Sequence, residues 1–183
     1  MHPLVEILGS PDQFLDDLFD QIQAVGIEVD SLYMDHICYR VESLEEYHAI
    51  KSSLLIHGNL LSDNIVAGRP ISVIQLNQPY SYKEREINVI ELPSPKSGSP
   101  YATGYEHVEL VVEMDLLEFV KKHPSIDFDL KGMNKTINQD VRLPLNGCSV
   151  KFPGGNPIPD RSCRCCRSKK WRKRRRRGHE CYR

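Results

Sequence analysis

"TGYEHVELVVEMD", residues 103–115, decides the fold once it is set beside "DHICYRV", residues 35–41. Read as strands, both alternate. Val108, Leu110 and Val112 take one face of the first, and His107, Glu109 and Val111 the other. In "DHICYRV" the apolar face is Ile37, Tyr39 and Val41, leaving His36, Cys38 and Arg40 opposite. Each histidine follows an acid and precedes a β-branched residue. Apolar faces of this kind pack against helices, so both imidazoles point away from the helices.

The segments after the two strands repeat as well. Ser43-Leu44-Glu45-Glu46 is a capping box that opens a helix running to about His57. "NLLSDNIVAGRPISVIQL" reads as two strands around Gly68, and "EINVIEL" (86–92) as a third. After a Pro-, Gly- and Ser-rich linker at 93–104, the strand at 105–112 is followed by a helix capped by Asp115. "DFDLKGM", "QDVRLPL" and "CSVKF" then read as three strands. Strand, helix, strand, strand, strand occurs twice, at a period near 70 residues, at 31–92 and again at 105–152. Before the repeat, "DQFLDDLFDQIQAV" is an amphipathic helix, with Ser10 placed to cap it and Gly26 to stop it. The expected class is α+β: an N-terminal helical segment (1–30) and two βαβββ modules forming a curved mixed sheet around a site.

In "NVIELP" the apolar face is Ile90 and Leu92, so Glu91 shares the histidine side. Two imidazoles and a carboxylate therefore converge from three strands. Such a set holds a divalent metal on one side and leaves coordination positions open.

The paired modules resemble the vicinal oxygen chelate superfamily, which includes glyoxalase I, extradiol dioxygenases and bleomycin-resistance proteins. Within it the chain is most similar to the YecM-like family, through "DHICYRV", "LLSDNIVAGRPISVIQL", "IELPSPK", "GYEHVELV" and "RLPLNGCSVKF". The resemblance implies His36, Glu91 and His107 as metal ligands. It also implies a fourth ligand on the last strand of the second module. Lys151 stands there, and Pro153 stands where the family pattern has a histidine after "KF". Glu109 is the nearest substitute. The implied activity is that of a small-molecule lyase, isomerase or dioxygenase using iron, manganese, zinc or nickel. The non-catalytic alternative is a module of the same fold that sequesters a small molecule. Arg40 and Arg69 are candidates to hold a substrate anion, with an ion pair to a nearby acid as the competing role. His48, His57 and His123 read as surface residues, and Cys38 as a buried small residue.

Composition excludes other classes. The 183 residues are 40% hydrophobic, enough for a sizeable core, and no apolar run reaches membrane-spanning length. The expected location is the cytoplasm. The net charge of -1 hides an asymmetry: residues 161–183 hold 12 of the 24 Lys and Arg and a single acid, Glu180. The body is acidic, so nucleic-acid binding is expected only through this basic tail, if at all. Cys163, Cys165, Cys166, His179 and Cys181 fit no standard zinc-finger spacing. Residues 153–183 read best as a disordered or frame-shifted ending, because purine-rich codons for Arg and Glu overlap by one base.

Overall fold

The computed structural model describes residues 1–98 and 100–155. Of the ending read at 153–183, residues 156–183 lie outside the described residues.

Two helices come first, α1 (Pro3–Leu8) and α2 (Asp12–Ala24). The first module is β1 (Tyr33–Arg40), α3 (Leu44–Ile56), β2 (Gly58–Val66), β3 (Arg69–Tyr82) and β4 (Arg85–Pro93). The second is β5 (Gly104–Val111), α4 (Leu116–Lys122), a short 3-10 helix (Lys131–Asn134), β6 (Asp140–Pro144) and β7 (Ser149–Pro153). The seven strands form one mixed sheet in the order β2-β3-β4-β1-β5-β7-β6.

Local chemistry accounts for the boundaries. Ser43 Oγ accepts from the Glu46 N–H at 3.0 Å, and Asp115 accepts from the N–H groups of Leu117 and Glu118. At α2 the cap position is Pro11 rather than Ser10, although Ser10 Oγ still accepts from the Asp12 N–H. Helix α1 lies within the N-terminal helical segment read at 1–30, ahead of its amphipathic stretch. It begins with Pro3 in the first turn and with His2 accepting from the Leu4 N–H, and it buries Leu4 and Leu8. The β2–β3 hairpin closes on Ala67 (φ 49°) and Gly68 (φ 79°), the positive-φ pair that a tight two-residue turn requires.

One expected strand is missing. Within "DFDLKGM" only Asp129 pairs, through a single bridge to Arg142. The Asp129 carboxylate then accepts from the Lys131 N–H, which turns the backbone into the 3-10 helix before a ladder can extend. Pro153 ends β7, and residues 154 and 155 continue along the sheet instead of leaving it. Val112 donates to the Pro153 carbonyl, and Gly155 donates to the Val112 carbonyl, both at 3.1 Å.

Strands β1 and β5 lie side by side and antiparallel at the centre. Each has the last strand of its own module as a parallel neighbour: β4 beside β1 and β7 beside β5. The two halves are thus related about the β1–β5 seam. The main core lies on the helix side, where Leu15, Leu18 and Ile22 meet Ile37, Val41, Ile90, Leu92, Val108 and Leu110, all fully buried. The other face carries His36, Glu91 and His107, flanked by a small cluster of Val73, Val89 and Leu61.

Candidate metal centre

Register places the site side chains in two rows across four strands. Glu91, Cys38, His107 and Ser149 are successive neighbours across β4, β1, β5 and β7. His36, Glu109 and Lys151 are neighbours across β1, β5 and β7. The two histidines are 2% and 3% exposed. Glu91 lies between them, with one oxygen 3.6 Å from His36 Nε2 and the other 3.7 Å from His107 Nε2. Donor atoms of His36, Glu91 and His107 all lie within 4.8 Å of one another.

The strands are not regular at the histidines. Between Met34 and His36 the β1–β5 pairing slips by one residue, so that Asp35 is extra on β1. Between His107 and Tyr105 it slips again, and Glu106 is extra on β5. These are β-bulges, which re-aim side chains. Met34 and Tyr105 would share the histidine face in unbroken strands, yet both pack into the helix-side core. Tyr105 rests 4.9 Å from the Tyr39 ring and 5.6 Å from Phe14.

The bulges bring each preceding acid back to its histidine. Asp35 Oδ2 lies 3.0 Å from His36 Nδ1, and Glu106 makes a short hydrogen bond to His107 Nδ1. A carboxylate on Nδ1 fixes that nitrogen as donor and aims Nε2 at the centre. Sequence reasoning noted an acid before each histidine but not this role, because strict alternation assigns both acids to the helix side.

Charge is densely packed here. Burial opposes a proton on His36, but the carboxylates of Glu109, Asp35 and Glu91 outweigh it and raise the imidazole pKa to about 9. Burial would raise Glu91, yet His36, Lys151 and His107 hold it down at about 2. Glu106 is likewise held at about 2, against burial, by His107, Arg40 and Lys151. His107 is lowered by burial and by the Lys151 ammonium.

His36 Nε2 is buried and has no hydrogen-bond partner among the described residues. A buried ring nitrogen aimed at a carboxylate and a second imidazole suits a divalent cation, which takes the place of its proton on binding. Two overlapping sets are weaker. One is Cys38 with Glu106 and His107. Burial and Glu91 push the Cys38 thiol up, away from the thiolate that a metal needs. Glu106 already holds Arg40 at 3.1 Å and Arg142 at 3.6 Å. The other set is Asp35 with His36 and Glu109, in which Asp35 is committed to Nδ1. Lys151 Nζ lies 2.7 Å from His107 Nε2 and 3.5 Å from Glu109 Oε1.

The remaining sequence candidates fall into place around this centre. Arg40 is one-third exposed, pairs with Glu106 and lies over the Tyr101 ring at 4.7 Å. Arg69 pairs with no acid among the described residues. It donates to the Ser94 carbonyl and the Tyr101 hydroxyl, and so braces the ring on which Arg40 rests. Arg142, which sequence reasoning missed, is the second arginine on Glu106. His48 and His57 are exposed. A cleft of about 400 Å³ between Leu32, Tyr33, Val112, Phe119 and His123 is lined by none of the candidate ligands.

Fold and site together define a mixed α+β protein of two half-repeats with a His/Glu cluster on the open face of the sheet. The chain belongs to the YecM protein family, which it matches over residues 4–152. It is 28% identical to Protein YecM of Escherichia coli over 148 residues, 81% of this chain and 73% of that one. An uncharacterised Haemophilus influenzae protein is 37% identical over 86 residues, 47% of this chain and under half (45%) of the relative's length. A solved structure described as "Structural Genomics, Protein EC4020" matches with a TM-score of 0.71 and 22% identity, covering 84% of this chain and 88% of that one. Among the described residues no helix is long and apolar enough to cross a membrane.

Proposed function

We propose that the chain is a divalent-metal-dependent protein of the vicinal oxygen chelate type, acting on a small anionic molecule. The observation that carries the reading is the arrangement around Glu91. Two buried imidazoles aim Nε2 at its two oxygens, each Nδ1 is tied by a bulge carboxylate, and His36 Nε2 has no hydrogen-bond partner among the described residues. His36, Glu91 and His107 hold the ion, with Glu109 the fourth donor. Iron, manganese, zinc and nickel all accept this donor set. A bound ion would supply Lewis acidity to a substrate oxygen, the chemistry that metal-dependent lyases, isomerases and dioxygenases use. Arg40 and Arg142, partly exposed beside Glu106, receive the substrate's anionic group, and Arg69 keeps Tyr101 beneath Arg40.

Metal analysis of the purified chain tests this. The wild type retains close to one ion per chain and His107→Ala retains little, because loss of a direct ligand costs more than the roughly 10–100-fold of an outer partner. Equal metal in both proteins would remove His107 from the ligand set. One observation favours the second reading, a non-catalytic binding module: the Lys151 ammonium already sits on His107 Nε2. On that reading the wild type carries no metal at all.

A further inference from the structure

We propose that Lys151 is a tethered cation at the fourth corner of the metal centre, and that it must leave before a metal can enter. The inference rests on the metal reading above and adds to it a residue that sets cation affinity.

Symmetry comes first. In the first half, Glu91 on β4 lies opposite Cys38, two residues past His36. In the second, Lys151 on β7 lies opposite Glu109, two residues past His107. Both pairings are parallel. Lys151 thus occupies the place in its half that Glu91 occupies in the other, with a positive head where the repeat would put a carboxylate.

Geometry and bonding come next. The Lys151 ammonium is a donor only, so at 2.7 Å it takes the lone pair of His107 Nε2. The other nitrogen of that ring is held by Glu106. A neutral imidazole has one nitrogen lone pair free for bonding, and it serves either Lys151 or a metal. The same ammonium lies 3.5 Å from Glu109 Oε1, the oxygen that is also 3.7 Å from His36 Nε2. While Lys151 is in place, His107 and Glu109 are both engaged. Once it swings out, both are free, and the donor set grows from His36 and Glu91 to four residues.

The exit is open. The Lys151 side chain is 22% exposed, and a four-carbon stem lets the head reach solvent while its methylenes stay packed. A dication entering beside an ammonium is repelled, so expulsion of Lys151 and coordination of His107 are one event.

Manganese(II) titration by calorimetry, read alongside the electron paramagnetic resonance signal of free manganese, tests the proposal on the wild type, Lys151→Met and Lys151→Glu. Lys151→Met is expected to bind at least about tenfold more tightly than the wild type, and Lys151→Glu more tightly still. A wild type that binds manganese together with a Lys151→Met that binds no better overturns the Lys151 role and leaves the metal reading standing. Binding by the variants alone establishes the Lys151 role and denies metal to the native chain. No binding by any of the three defeats both. A second measurement needs no variant: reductive methylation of the wild type, followed by mass spectrometry. Saturating manganese is expected to speed modification of Lys151 several-fold relative to the metal-free protein. A rate that is unchanged, or slowed, while manganese is bound contradicts expulsion.

Discussion

At His36 and His107 the residue just before each imidazole determines what the imidazole can do. Asp35 and Glu106 bind Nδ1, and Glu106 also anchors Arg40 and Arg142. Glu106→Ala is therefore expected to lower metal affinity by roughly 10–100-fold with all three proposed ligands intact. An unchanged affinity in a manganese titration would show that the carboxylate does not orient His107. Glu91→Ala is expected to cost more than Glu109→Ala, because Glu91 faces both Nε2 atoms while Glu109 is shared with Lys151. Equal losses, or a larger one for Glu109→Ala, would overturn that ranking. His36 also gives the metal-free protein a pH dependence. Its pKa rises from an ordinary 6.5 to about 9 on folding, so its contribution is fully present below 6.5 and lost as pH climbs through 9. In chelator-treated protein this amounts to a loss on the order of 3 kcal/mol. Urea unfolding between pH 6 and 10 should show a steeper decline in the wild type than in His36→Gln, and parallel curves would refute the assignment.

Among the elements, the two bulges matter most, and they mark the limit of what the sequence discloses. Alternation alone places His36, Glu91 and His107 on one face, because Ile37, Ile90 and Val108 must face the helices. It errs at Met34, Asp35, Tyr105 and Glu106, since an extra residue in a strand reverses every assignment on its far side. No Gly or Pro marks either slip. The capping residues Ser43 and Asp115 were legible because their chemistry is local. The strand expected within "DFDLKGM" was not, because one Asp129 side-chain contact outcompetes the alternation of Phe128 and Leu130. Lys151 could be seen in the sequence as a missing carboxylate, but its contact with His107 depends on strand register. Register is also tight at Gly58, where a β-carbon would lie 2.5 Å from the Gln75 carbonyl oxygen. Gly58→Ala should push β2 from β3 and cost about 1–3 kcal/mol. A melting temperature equal to wild type would mean that the hairpin yields more easily than its geometry suggests.

For the whole molecule, the seam between β1 and β5 is the organising feature. It joins two half-repeats whose helix-side faces build the core and whose other faces each deliver a histidine. The second half has the shorter helix and only a single bridge in place of one strand, and it leans on an aromatic cluster. Phe152 is fully buried, with Phe119 at 4.9 Å and Phe128 at 6.3 Å between ring centroids. Phe152→Ala should cost about 3–5 kcal/mol in thermal unfolding, and a loss below about 1 kcal/mol would show that β7 is held by something else. Because Lys151 precedes Phe152 on the same strand, the packing side and the site side of β7 are linked.

The central claim is that one cation sits between His36, Glu91 and His107. Anomalous diffraction at the manganese edge, from crystals grown with equimolar manganese(II), tests it most directly. A single strong peak is expected roughly 2.0–2.3 Å from His36 Nε2, His107 Nε2 and a Glu91 oxygen, with the Lys151 head displaced toward solvent. No peak in that position, or a peak held by Asp35 and Glu109 with Lys151 still on His107, would contradict it.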